Sequence, residues 1–212
     1  MNAPASFLTT FASARRDYER AWNDPANTRF ELPAVDVNKV LRDRYEMDPH
    51  RRLTRTMIWD METKKAWDPL SFIPYVVSEG GSWGRHSLDD GSSRFCRASM
   101  QKGWIRPDSG RVLEDVYVSD AEQAIFFLGR QRMIAADGSE LRASESQPVF
   151  HVFHGVGGTE DEPLNLWSIV LLTQHNESRY EEPFKQMVQA GLLPGFIEIY
   201  IERNLGVTLK RK

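Results

Sequence analysis

Cysteine is nearly missing: Cys96 is alone among 212 residues. An internal disulfide and a cysteine-rich zinc site are excluded. Long apolar runs are missing too. Stretches such as Ile169-Val170-Leu171-Leu172 fall far short of the roughly 20 residues a spanning helix needs. There is no basic excess: 27 Lys and Arg stand against 30 Asp and Glu, for a net charge of −3. A generally basic nucleic-acid binder is excluded, and no membrane partner is expected. The basic run Lys210-Arg211-Lys212 closes the chain and reads as a frayed, solvated end. Phe7, Leu8 and Phe11 precede Ala12-Ser13-Ala14, but no positive residue comes first and Thr9 and Thr10 interrupt the apolar part. A signal peptide is therefore not expected, and a reducing, cytoplasmic setting is.

What is present is core-forming material. The hydrophobic share is 41%, with 6 Trp, 6 Tyr and 11 Phe. Length and composition predict one domain over 1–212, with N-terminal helices in 1–50, a helix and loop segment in 51–91, an antiparallel sheet in 92–175 and C-terminal helices in 176–212.

Phe7, Phe11, Ala14, Tyr18 and Trp22 share one helical face, with Ser6 as cap and Asn23-Asp24-Pro25 as stop. Residues 23–35 read as a loop. A second helix is expected from Val37 to about Met47, capped by Asp36 and stopped at Asp48-Pro49. Met57, Ile58, Trp59, Met61, Ala66 and Trp67 favour a short helix over a strand. Gly80-Gly81-Ser82-Trp83-Gly84-Arg85-His86 reads as a connecting loop, or a lid over a pocket.

From Ser92 the pattern turns to strands. Arg94–Ile105 runs into the turn Arg106-Pro107-Asp108-Ser109-Gly110, and Arg111–Val118 follows. Gln123–Ala135 ends at the hairpin signal Asp137-Gly138. Leu141–His154 holds a strand best defined from Val149, Gly155–Pro163 is a connection, and Asn165–His175 is the last strand. Short turns between them imply an antiparallel meander. Large apolar residues on both faces imply a sheet covered on both sides or curled round a pocket. Glu182-Pro183 starts a helix stopped by Gly191; Pro194 starts another, ended by Gly206.

Helices first and a long antiparallel meander afterwards resemble the nuclear transport factor 2-like superfamily, which includes polyketide-cyclase-like (SnoaL-like) enzymes, ketosteroid isomerases and scytalone dehydratases. The likeness rests on Asp120-Ala121-Glu122-Gln123-Ala124-Ile125-Phe126, on Asp137-Gly138 and on Trp167-Ser168-Ile169-Val170. The resemblance implies an α+β fold whose N-terminal helices pack in a curved sheet around a cone-shaped pocket, and homo-oligomers, usually dimers. The C-terminal helices would be an extension. Phe72-Ile73-Pro74-Tyr75-Val76-Val77 and the C-terminal helix instead suit a START-like helix-grip fold, which also encloses an apolar pocket.

Glu114 lies between Val112 and Val116, a setting that disfavours its charge and suits a general base. In the opposite register Asp115, beside Leu113 and Tyr117, faces the pocket instead. His151 alternates with Val149 and Phe153 and is the candidate proton shuttle. Arg97 would hold a developing negative oxygen, and His175 would stand at the pocket mouth. Tyr75, Trp83, Tyr117, Phe127, Phe153 and Trp167 are candidate substrate contacts for a flat aromatic molecule. His151 and His154 point to opposite faces of a strand, so no metal site is expected and no cofactor is implied. The expected function is a cofactor-independent lyase or isomerase acting on a small hydrophobic, aromatic substrate by dehydration, isomerisation, cyclisation or retro-aldol cleavage. Formaldehyde loss from lignin-derived diaryl propane diols is one such reaction in the resembled superfamily. The alternative is a non-catalytic carrier of an apolar ligand.

Overall fold

The computed structural model describes residues 9–105 and 108–212. Ser6, Phe7 and the Arg106-Pro107 part of the expected turn lie outside them. The elements run α1 (Phe11–Asn23), β1 (Thr28–Glu31), β2 (Val35–Asp36), α2 (Val37–Arg44), β3 (Tyr45–Asp48), α3 (Arg55–Trp67), α4 (Pro69–Phe72), β4 (Val77–Ser87), β5 (Ser93–Lys102), β6 (Ser109–Ser119), β7 (Ala124–Gly129), β8 (Arg132–Ile134), β9 (Glu140–Arg142), β10 (Phe150–Gly158), β11 (Pro163–Leu171), a single 3-10 turn (Ser178–Tyr180), α5 (Glu182–Ala190), α6 (Gly195–Leu205) and β12 (Thr208–Arg211).

An eight-stranded antiparallel sheet dominates, in the order β1-β11-β10-β7-β6-β5-β4, with β2 also on β11. The antiparallel order was legible, but its two ends were not, and the expected strand Gln123–Ala135 stops at Gly129, with β8 and β9 pairing apart from the main sheet. Residues 28–31 form a strand that pairs with β11, where a loop was expected. The glycine-rich segment 80–86 is part of edge strand β4, and neither a loop nor a lid. Its bulge between Trp83 and His86 uses Gly84 at φ +66°. The expected Gly155–Pro163 connection is largely the β10–β11 ladder. The sheet's first strand therefore precedes α2 and α3, a departure from helices followed by an uninterrupted meander.

Strand alternation divides the core. Phe95, Val112, Val116, Phe127, Val152 and Ile169 belong to one face, against α3 and Phe184 of α5. Tyr117, Phe126, Leu128 and Val170 belong to the other, against Phe11, Ala14 and Tyr18 of α1. Thr10 caps α1 by accepting from the Ser13 amide. A third cluster joins α2, α3 and α6. The C-terminal residues are not frayed: β12 pairs with β3, Lys210 meets Glu46, and Arg211 meets Glu198 at 2.8 Å.

Strands β7 and β10 are held close at the end of β7. A Cβ on Gly129 would lie 2.2 Å from the Phe150 carbonyl oxygen. Gly129→Ala must push β10 away. Its expected cost is about 1–3 kcal/mol, the usual overpacking range, read as a lower urea midpoint.

Candidate functional site

Helix α3 buries one face, made by Ile58, Met61, Glu62, Lys65 and Ala66, and the two charged residues on that face break the apolar stripe in the sequence. Thr54 caps it by accepting from the Met57 amide. Ile58 and Met61 face the α2–α6 cluster. Glu62 and Lys65, three residues apart, sit buried in the same helix and meet the sheet instead. Lys65 Nζ lies 2.5 Å from Glu62 Oε2 and 2.8 Å from His154 Nδ1 on β10. His154 Nδ1 is 3.2 Å from the same carboxylate oxygen. Asn165 on β11 donates from Nδ2 to Glu62 Oε1 at 2.7 Å. The Phe196 ring, on the first turn of α6, covers the amine at 3.8 Å from Nζ to centroid.

Burial sets the charges of this cluster. It pushes the Glu62 carboxyl up, but Lys65 and His154 together outweigh it and hold Glu62 at about 2. Burial lowers Lys65 to about 8, with Glu62 opposing and Arg97 assisting. Burial and then Lys65 lower His154 to about 4, so its imidazole is neutral at pH 7. The result is a carboxylate, an amine whose ionisation falls near neutral pH, and a neutral imidazole in mutual contact.

A second buried pair lies on the same sheet face. Register places Arg97 opposite Glu114. Arg97 Nε and Nη2 each lie 2.7 Å from Glu114 Oε2, and Nη1 donates to the Ala66 carbonyl at 3.2 Å. The guanidinium carbon stands 4.5 Å from the centroid of Phe127. Arg97 is thus occupied by its own carboxylate and by the end of α3. It is paired with Glu114 and is not a free oxyanion holder.

The expected trio of Glu114, His151 and Arg97 is not assembled. Asp115, Leu128 and His151 are successive register partners across β6, β7 and β10, so His151 shares the face of Asp115. Glu114 and Arg97 point the other way because side chains alternate along a strand. Asp115 bonds Arg94, and Arg130 Nε reaches it at 2.8 Å. His151 accepts from the Gly129 amide through Nδ1 at 3.0 Å. Burial, with Arg130 adding, lowers His151 to about 4.

The aromatic candidates scatter likewise. Phe127 and Trp167 are on the Lys65 face. Tyr117 and Phe153 are beneath α1. Trp83 donates to the Ile134 carbonyl beside the β8–β9 hairpin. Tyr75 is 48% exposed and lies against Gly195, where a Cβ would come within 2.9 Å of its ring. His175 is exposed beyond β11. Sequence reasoning missed Glu62, Lys65 and Asn165, and weighed His154 only as a metal ligand. The available signal was the placement of Glu62 and Lys65 four and seven residues after Ile58, on the helical face that Ile58, Met61 and Ala66 share. Among the described residues, no group of three or more His, Cys, Asp or Glu is placed to hold a metal ion. Among them, too, no helix is long and apolar enough to cross a membrane.

No protein-family model and no curated protein matches this chain. Solved structures do show likeness of outline. Norcoclaurine synthase from Thalictrum flavum is similar at a TM-score of 0.45 and 7% identity, over 97% of this chain and 98% of that one. A Streptomyces aromatase/cyclase is similar at 0.44 and 7%, over 83% and 95%. A START superfamily protein from Mycobacterium smegmatis is similar at 0.36 and 12%, over 85% and 95%. Only the third of these three carries the name of the START-like alternative. At such scores and identities they bring no activity, ligand or residue role to this chain.

Proposed function

We propose that this chain is a helix-grip-like α+β protein that binds a small apolar, carbonyl-bearing molecule and moves a proton on it, with Lys65 as the base. The observation that carries this reading is the contact of Lys65, lowered to about 8, with Glu62 and His154. Catalytic acids and bases are built from clustered buried groups with displaced pKa values, and a buried ion pair by itself adds little stability. Lys65 in its free-amine form takes a proton from the carbon beside a carbonyl. The C–H electron pair moves to the carbonyl oxygen as an enolate, and the proton returns from Lys65 or from solvent. Such a step is common to isomerisation, dehydration and retro-aldol sequences. Glu62, fixed by Asn165, keeps Lys65 oriented; the neutral His154 accepts from the ammonium. Phe196 must move aside for a substrate to reach Nζ.

Deuterium exchange tests this without knowledge of the product. Aryl ketones incubated with the protein in D2O, with nothing else added, are expected to gain one mass unit per exchanged hydrogen. The rate is expected to rise as pH climbs through about 8, because the base is the unprotonated amine. Lys65→Met is expected to abolish exchange and His175→Ala to leave it intact. Exchange unchanged in Lys65→Met overturns the reading. The closed state of the cluster, with His154 only 7% exposed, favours a second reading, a carrier without turnover. Ligand retention without exchange in any arm supports that one.

A further inference from the structure

Away from Lys65, a cleft of about 330 Å³ opens between residues 103–105 after β5, the segment before β10 and the turn before α5. Trp104, Ile105, Pro148, Leu172 and Tyr180 give it apolar walls. Its charged residues offset each other: Glu145 and Arg179 both line it, and Arg179 is already paired with Glu177 at 2.5 Å. A net ionic ligand is therefore not called for.

Three of the lining residues carry buried polar atoms with no hydrogen-bond partner: Trp104 Nε1, Gln147 Nε2 and Ser146 Oγ. The orientation of Gln147 is fixed by its other end, since Oε1 accepts from the Trp104 amide at 3.3 Å. Its free end is consequently an NH2 donor. The indole N–H is a donor only, and a hydroxyl can donate as well as accept. Buried donors left unpaired cost stability and are rare unless something satisfies them. Trp104 is held in place from behind by Phe150 and Phe184, at centroid distances of 6.0 and 4.9 Å.

From these features we propose that the cleft is a binding site for an uncharged aromatic molecule bearing a carbonyl oxygen, which accepts from Trp104 Nε1 and Gln147 Nε2. This goes beyond the proton-transfer reading. The cleft binds its ligand whether or not Lys65 acts on one.

A matched pair of probes separates the donors from mere apolar space: 2-acetylnaphthalene, and 2-ethylnaphthalene, which lacks the acceptor. Titration of the full chain is followed in a nitrogen–proton correlation spectrum, where the 6 tryptophans give separate indole signals. The Trp104 signal is assigned by its loss in Trp104→Phe. The ketone is expected to bind about tenfold more tightly than the hydrocarbon, the worth of a hydrogen bond to an otherwise unpaired donor, and to move the Trp104 signal. Trp104→Phe keeps the ring, and Gln147→Glu keeps the acceptor for the Trp104 amide. Each is expected to cut the ketone's advantage several-fold while leaving hydrocarbon binding unchanged. The dispersion of the remaining signals verifies that both variants fold. Equal binding of the two probes, binding of neither, an unmoved Trp104 signal, or a ketone preference that survives in both variants overturns the proposal. Because only binding is read, loss of exchange in Lys65→Met has no bearing on it.

Discussion

Glu62→Ala is expected to cost about 3–5 kcal/mol in urea unfolding at pH 7, the range seen when one partner of a buried ion pair is removed. The reason is what remains. Lys65 is buried beside Arg97 and His154, and Glu62 is the only carboxylate within salt-bridge distance of it among the described residues. Without Glu62 the ammonium is left uncompensated, and Asn165 loses the acceptor of its Nδ2. Lys65 then sheds its proton to remain buried. The unfolded chain keeps that proton up to about 10.5, the unperturbed value for lysine. The parent's Lys65 also gives up its proton above about 8, so the loss is expected to shrink as pH rises toward about 8 and to level off beyond it. The double variant Glu62→Leu with Lys65→Met removes both charges and is expected to return to within about 1 kcal/mol of the parent, since a buried pair contributes little over apolar side chains of similar size. A single variant that costs less than about 1 kcal/mol, or a double variant no better than the single, contradicts this account. The experiment also bears on function. A pair that costs nothing to replace, yet abolishes exchange when replaced, is kept for chemistry.

On the acid side, His151 is expected to dominate outside that cluster. Its value is about 4 in the folded chain against 6.5 for the free side chain. Between those limits the unfolded chain binds a proton that the folded chain refuses. Stability is full above about 6.5 and is lost as pH falls through 6.5 to 4. The shift corresponds to about 3 kcal/mol. His154 moves in the same direction over the same window. Glu62 extends the loss, because its depressed value removes stability as pH falls from 4.5 to about 2. His151→Asn isolates the first of these contributions. An asparagine oxygen can take the Gly129 N–H that Nδ1 now accepts, and it does not titrate. The expected result is a shallower decline of unfolding free energy between pH 7 and 4, with little change at pH 7. A decline as steep as the parent's would show that His151 is not the titrating group.

These two residues show where sequence reading stopped. His151 was read as a proton shuttle on an otherwise apolar strand face, and the structure buries it. Its assignment to the same pocket as Glu114 failed, because both registers of β6 read equally well. Val112, Glu114, Val116 and Val118 make an apolar face, and Leu113, Asp115 and Tyr117 make another; the structure buries both. Glu62 and Lys65 were missed for a related reason. They stand on the one buried stripe of α3 with Ile58, Met61 and Ala66, where two charges interrupt the apolar pattern and read as part of a solvent face. Segment 77–87 was missed because its glycines and exposed polar residues resemble a loop, and an edge strand with little buried surface carries no alternation.

The sequence by itself determined the local elements. The spacing of Phe11, Ala14 and Tyr18 makes the α1 face, the stops at Gly191 and Gly206 take the left-handed conformation, and β5, β6, β7, β10 and β11 lie side by side in one antiparallel sheet. It also set the aromatic supply and the near absence of cysteine. Tertiary structure alone decided which strand closes the sheet, since β1 and β11 are joined across most of the chain. It also decided which charges meet. Lys65 and His154 are separated by 89 positions and come together at 2.8 Å only because α3 lies on the face of β10 that His154 occupies. Alternation and helical period are properties of a few neighbouring residues and can be read from them. Pairing across the sheet depends on how two distant segments bury their faces together, and no short stretch of sequence contains that.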